Sequence, residues 1–134
     1  MNYLLDTCVV SDFVKGDKNT FKKLQSLSPL QVKISAITSY ELHYGLLKNP
    51  NLKKGIKEAV LGFLKDVEVL PFKTEESTIA AKIRVGLEKD GKPIGPYDVL
   101  IASVALENDL TLVTSNVGEF QRIPSLKMEN WREG

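Results

Sequence analysis

The chain holds a single cysteine, Cys8, and a single histidine, His43, among its 134 residues. One cysteine excludes an intramolecular disulfide and any zinc site built on cysteines. One histidine excludes acid–base catalysis by a histidine pair and any metal site that takes two histidines from the same chain. No apolar run approaches the ~18 residues needed to cross a membrane. The N-terminus also lacks the basic, apolar and small-residue succession of a secretory signal. No membrane partner is expected, and the cytoplasm is the expected location. Charge of one sign is missing too: the formal net charge is +1, so no global field attracts a polyanion. Basic residues gather only locally, at Lys53, Lys54 and Lys57 and at Lys82, Arg84, Lys89 and Lys92, and both groups read as solvated helix faces. There are no repeats, low-complexity tracts or linker-like stretches.

What is present suffices for one core. Hydrophobic residues make up 43% and charged residues 26%, and a chain of this length suits one domain spanning 1–134. Tyr3-Leu4-Leu5 reads as a buried strand ending on Asp6, with a helix from Thr7 to Val14. After a turn at Gly16 to Asn19, Asn19 or Thr20 is expected to cap a helix to about Leu27, closed by Ser28-Pro29. Val32 to Ser35 alternates as a strand, and a helix from about Ser39 to Lys48 follows. Leu52, Ile56, Ala59, Val60, Phe63, Leu64 and Val67 keep the spacing of an amphipathic helix. Val67 to Phe72 reads as strand, and Thr74 as the cap of a helix with the apolar line Ile79, Ala80, Ile83 and Leu87. Gly95-Pro96 opens a helix that is apolar on nearly all sides from Tyr97 to Leu106, so it belongs in the core. Leu110 to Thr114 is a strand, Gly118-Glu119-Phe120 a short helical turn, and Leu126 to Met128 a final edge strand. Strands alternating with helices predict an α/β domain: a central, mostly parallel sheet of about five short strands flanked by helices.

This layout places acids at telling points. Asp6 ends the first strand, where open α/β sheets bind ligands, and it also has the position of a helix N-cap. Glu41 shares a helix face with Ile37, Tyr44 and Gly45 and is expected to point towards apolar surroundings, while Thr38-Ser39-Tyr40-Glu41 equally fits a capping box. Asp98 lies in the first turn of the core helix, favoured there by the helix dipole. Glu119 and the polar Asn116 follow the last long strand. Four carboxylates in one cleft would repel one another and raise their pKa values unless a cation neutralised them. An all-oxygen set suits Mg²⁺ or Mn²⁺, which retain waters and meet phosphate substrates. His43, two residues past Glu41, points about 200° away on a helix and reads as structural or interfacial. Cys8 reads as a small core residue.

Leu4 to Thr7, Ser39 to Gly45, Gly95 to Ala102, and Leu112 to Asn116 with Glu119-Phe120 together resemble the successive motifs of PIN-domain ribonucleases. The resemblance covers essentially the whole chain and is nearest to the VapC toxins of type II toxin–antitoxin systems. It implies a PIN-like fold and a metal-dependent endoribonuclease that cuts RNA until a VapB-type antitoxin blocks it. It implies Asp6 and Asp98 as direct metal ligands, with Glu41 holding the metal or its waters and orienting or deprotonating the attacking water. Many PIN domains have Asp where this chain has Asn116; Glu119 then supplies the missing carboxylate. Thr7 and Asn116 are candidate supporting or phosphate contacts, with helix capping the preferred reading for Thr7, Thr114 and Ser115. The resemblance further implies homodimers that combine with antitoxin into hetero-oligomers, through exposed apolar residues near Tyr40, Tyr44, Leu47 and Leu61.

Other readings are open on the residues. An aspartyl phosphatase would want a second Asp two residues after the first, where Cys8 stands. A phospho-receiver would want its Asp after a middle strand, and Leu70-Pro71-Phe72 has none. A PIN-like module that binds RNA or protein without cutting is favoured by Asn116 and opposed by the joint presence of Asp6, Glu41 and Asp98.

Overall fold

The structure, a computed structural model, describes residues 2–133, with the backbone alone at position 133. Its elements run β1 (Tyr3–Leu5), α1 (Thr7–Val14), α2 (Lys18–Gln25), β2 (Val32–Ser35), α3 (Ala36–Lys48), α4 (Lys54–Asp66), β3 (Glu68–Leu70), α5 (Thr74–Lys89), α6 (Pro96–Glu107), β4 (Thr111–Val113), α7 (Val117–Phe120) and β5 (Met128–Glu129). The five strands lie in the order β3-β2-β1-β4-β5, and every pairing is parallel. The sheet is thus wholly parallel where a mostly parallel one was expected.

Side-chain alternation along β1 splits the core in two. Tyr3 and Leu5 face one side and pack with Val9, Val10, Ile34, Val60 and Trp131. Leu4 faces the other and packs with Ile101, Ala102, Leu112 and Phe120. Helices α1 and α4 cover the first side, α5 and α6 the second. Val99 and the run Ile101–Ala105 are all buried, which accounts for the nearly unbroken apolar sequence of α6. Each fully buried side chain such as Leu4 or Phe120 stabilises the fold by about 1.5–3 kcal/mol.

From β1 the chain adds β2 and β3 on one side, then returns to lay β4 on the other. Such a reversal leaves a crevice beyond the carboxyl ends of the two central strands. All five strands being parallel, the residues after β1, β2 and β4 emerge at the same edge. Behind that edge the tail is fastened down: Trp131 packs edge-on against Tyr3 at 5.4 Å, and Arg132 grips Asp12.

Several local expectations give way. Asp17, not Asn19 or Thr20, caps α2, accepting from the Thr20 amide and hydroxyl at 3.0 and 2.7 Å. The helix ends at Gln25, and Ser28 caps a separate short 3₁₀ turn. Helix α3 starts at Ala36 under a Ser35 cap on the Thr38 amide (3.1 Å), so no capping box joins Thr38 to Glu41. Lys73, not Thr74, occupies the cap position of α5 and makes no side-chain cap bond. Leu52 lies before α4, β3 is confined to Glu68–Leu70, and the edge strand is Met128–Glu129. In each case the backbone path was set by packing between candidates of similar local propensity.

Candidate active site

Asp6 leaves the end of β1 almost fully buried, at 6% exposure. Its amide donates to the Val113 carbonyl at 2.9 Å, continuing the β1–β4 ladder by one residue. Its Oδ1 accepts from the Thr7 amide at 2.8 Å, the expected cap of α1. Its Oδ2 accepts from the Thr114 hydroxyl, also at 2.8 Å, and that hydroxyl in turn accepts from the Asn116 amide at 3.0 Å. The carboxylate is therefore tied to both central strands, and its orientation is fixed. A buried charge tolerates burial only with partners of this kind.

Glu41 is half-buried on α3 and does not point into apolar surroundings. The Thr7 hydroxyl donates to its Oε1 at 2.7 Å and lies 3.2 Å from the hydroxyl of the fully buried Thr38. The preferred capping reading of Thr7 and Thr114 is thus replaced by side-chain bonds to the two acids. Glu119 sits in the single turn of α7, where its Oε2 accepts from the Asn116 amide nitrogen at 3.1 Å.

Asp98 stands in the first turn of α6, after Gly95 at the cap. A Cβ at position 95 would come within 3.2 Å of Asp98 Oδ2, so the absence of a side chain there keeps room for the carboxylate. The Asp98 carboxyl is pushed up to about 7. Burial is the largest cause, followed by the charge of Asp6, the charge of Glu119 and a hydrogen bond with it, and the charge of Glu41. Asp6, Glu41 and Glu119, the other acids picked out in the sequence, thus all act on Asp98. Near pH 7, the proton on Asp98 belongs to the cluster.

Among the described residues, the ion pairs involve none of Asp6, Glu41, Asp98 and Glu119. Nor do any three Asp, Glu, His or Cys side chains among the described residues stand close enough together to enclose an ion. An all-oxygen, open arrangement with surplus negative charge fits Mg²⁺ or Mn²⁺, which use one or two carboxylates and keep several waters. Zn²⁺ suits it less well, since zinc sites generally include histidine or cysteine ligands.

Three participants, Thr38, Cys8 and Gly95, escaped the sequence reading, and Thr114 reads there only as a cap. The roles of Thr114 and Thr38 become visible only once β4 lies beside β1 and α3 beside α1. Cys8 packs against the core as expected, yet its thiol lies 3.5 Å from Asp6 Oδ2 and accepts from the Ser115 hydroxyl at 3.3 Å. Burial and the Asp6 charge push that thiol above its ordinary value, so it stays protonated. Gly95 carried only a turn signal. His43 is exposed on α3, and the lysine and arginine clusters are exposed on α4 and α5 as expected. Tyr40, Tyr44, Leu47 and Leu61 are exposed rather than core, at 52%, 52%, 85% and 44%.

The sequence matches the PIN domain family over residues 3–126. It is 34% identical over 131 residues to the tRNA(fMet)-specific endonuclease VapC of Salmonella typhimurium, covering 98% of both chains. It is 36% identical over 134 residues to Ribonuclease VapC2 of Rickettsia felis, again with 98% of each covered. The crystal structure of VapBC2 from Rickettsia felis, bound to a DNA fragment from its promoter, contains a chain that superimposes with a TM-score of 0.85 at 36% identity. That match covers 98% of this chain and 99% of the other.

Proposed function

Because the chain belongs to the PIN-domain family and, within it, to the VapC ribonucleases, we propose that it is the toxin of a type II toxin–antitoxin pair, an endoribonuclease that hydrolyses RNA phosphodiester bonds with Mg²⁺ or Mn²⁺ and water. The observation that carries this reading is the Asp98 carboxyl, raised to about 7 by burial and by three other carboxylates, none of which joins an ion pair among the described residues. A bound divalent ion supplies positive charge that offsets the charge developing on the phosphate and makes water a better nucleophile.

The chain's own residues have distinct tasks in this proposal. Asp6, immobilised by the Thr7 amide and the Thr114 hydroxyl, and Asp98, with Gly95 clearing its path, would hold the ion. Asp98 would have to give up its proton to do so. Glu41, steadied by Thr7, would orient the attacking water and accept its proton. Glu119 supplies the carboxylate that Asn116 lacks, and the Asn116 side chain bridges to it. Asn116 would contact a phosphate oxygen, while Thr7 supports the site from behind, its one hydroxyl proton being given to Glu41. No covalent intermediate with the protein is needed.

The structural neighbours include VapBC complexes, which supports a VapB-type antitoxin as the partner. We further expect a homodimer that takes up antitoxin as a hetero-oligomer, with Leu47 and Leu61 in the protein contacts; a clean monomer by light scattering at micromolar concentration would exclude the dimer. The central test is metal removal. RNA cleavage by the purified protein should stop in EDTA and return on adding Mg²⁺ or Mn²⁺. Undiminished cleavage in EDTA would sink the mechanism.

A further inference from the structure

Three of the chain's four tyrosines stand together beside the acids. Tyr40 directly precedes Glu41, Tyr97 directly precedes Asp98, and Tyr44 lies one turn along α3 from Tyr40. The rings of Tyr40 and Tyr97 meet edge to face, with centroids 5.8 Å apart, and those of Tyr40 and Tyr44 lie 6.3 Å apart. Tyr97 is 46% exposed, comparable to the other two. Exposed aromatic rings normally need a reason, because their apolar area is left in water. The Tyr40 and Tyr97 rings border an apolar recess of about 220 Å³, also lined by Ala36, Ile37, Phe72 and Leu100. That volume is below the ~300 Å³ at which pockets for whole drug-sized ligands begin, so it suits one planar ring. At the far end of the row, the Lys48 ammonium lies 5.5 Å over the Tyr44 ring.

The geometry points to a base-stacking subsite of the nuclease, in which Tyr40 and Tyr97 receive the unpaired base next to the scissile phosphate. Lys48, beyond Tyr44, then contacts the backbone further along. The inference rests on the ribonuclease reading. It commits to RNA over a protein occupant because the paired rings stand on the same turns of α3 and α6 as Glu41 and Asp98, so a strand whose phosphate reaches those acids has its neighbouring base within reach of the recess. An aromatic row ending in a cation is also how single strands are held without a sequence code. The edge-to-face pairing leaves ring faces available. The formal net charge of +1 gives only a weak pull on RNA, so stacking beside the site supplies affinity that charge does not.

The test compares binding of a short oligoadenylate with that of an abasic ribose-phosphate oligomer of equal length, with Ca²⁺ in place of Mg²⁺ to suppress cutting. The wild-type protein should prefer the oligoadenylate by about 10- to 100-fold, the range set by stacking one base on an aromatic ring. Tyr40→Ala and Tyr97→Ala should each lose most of that preference and bind the abasic oligomer as the wild type does. Tyr97→Phe should keep it. In Mg²⁺ the alanine variants should raise KM for cleavage far more than they lower kcat. Wild-type cleavage with no base preference and no response to either alanine variant overturns the subsite and leaves the ribonuclease reading intact. The same holds if Tyr40→Ala and Tyr97→Ala change only the oligomeric state or antitoxin binding. A wild-type protein that neither binds nor cuts RNA overturns both.

Discussion

At the carboxyl-terminal end of α1, Asp12 meets the Arg132 guanidinium through hydrogen bonds of 2.7 and 2.8 Å, and beyond it Asp17 is held below its usual carboxylate range by the Thr20 hydroxyl and amide. At the amino-terminal end, Asp6 has an amide, a hydroxyl and a thiol for partners, and its charged neighbours are other acids. One helix thus joins an acid matched by a cation to an acid left among its own kind. Fold stability alone would favour the first arrangement at both ends. The second persists where a site gives up stability for a function the bare protein does not display.

The sharpest way to break the comparison is to neutralise one acid at each end. Asp6→Asn should lower RNA cleavage by on the order of 10³-fold or more, since the charge that holds the ion is lost. Asp12→Asn should leave cleavage near wild type and slightly lower Tm. Equal effects of the two variants in a cleavage assay would erase the distinction. The next effect is on heat stability: Mg²⁺ at about 100 times its Kd should stabilise the wild type by about 2.7 kcal/mol. In thermal melts that gain should vanish in Asp98→Asn and persist in Asp12→Asn.

Proton linkage is smaller. Since Asp98 must deprotonate to hold a cation, affinity for Mg²⁺ should fall roughly tenfold per pH unit below about 7, with one proton released per ion bound. Calorimetry at pH 6 in buffers of different ionisation heat would measure the release, and a buffer-independent heat would refute it. The smallest effect has the opposite sign to ordinary mutational damage. The Asp98 carboxyl rises from 3.8 to about 7 on folding, so it favours the fold most fully below its unfolded value and loses that contribution as pH climbs through about 7. Metal-free Asp98→Asn should therefore be more stable than the wild type at pH 8, by on the order of 1 kcal/mol because solvent screens this half-buried group, and match it near pH 4. A variant less stable at pH 8 would show that the acids do not repel.

Much of this arrangement was legible because it depends on short-range patterns. β1 and α1 follow from three apolar residues and an acid before Thr7, and the burial of α6 from its unbroken apolar run. The four acids could be picked out because each follows a strand or opens a helix. Bonds between distant segments were not legible. Thr7 reads locally as a cap, yet its hydroxyl serves Glu41, 34 residues away. Thr114 reads as the end of a strand, and its role depends on β4 lying beside β1. Ser35 and Thr38 are similar cap candidates, and the path of α3 out of the sheet decides between them. Tyr40 and Tyr97 are 57 positions apart (97 − 40) in the sequence and become neighbours only across the α3–α6 contact.

The strand order also sets a timetable. β1 is made well before its neighbour β4, which comes 108 residues after it (111 − 3), yet β1 is the middle strand. Asp6 cannot receive the Thr114 hydroxyl, nor can Glu119 join the cluster, until the stretch carrying β4 and α7 has been synthesised. Pairings of such sequence separation form late in folding. A truncated or still-growing chain thus carries Asp6 without the environment that makes it part of a site, and the protein becomes competent only as its last strands dock.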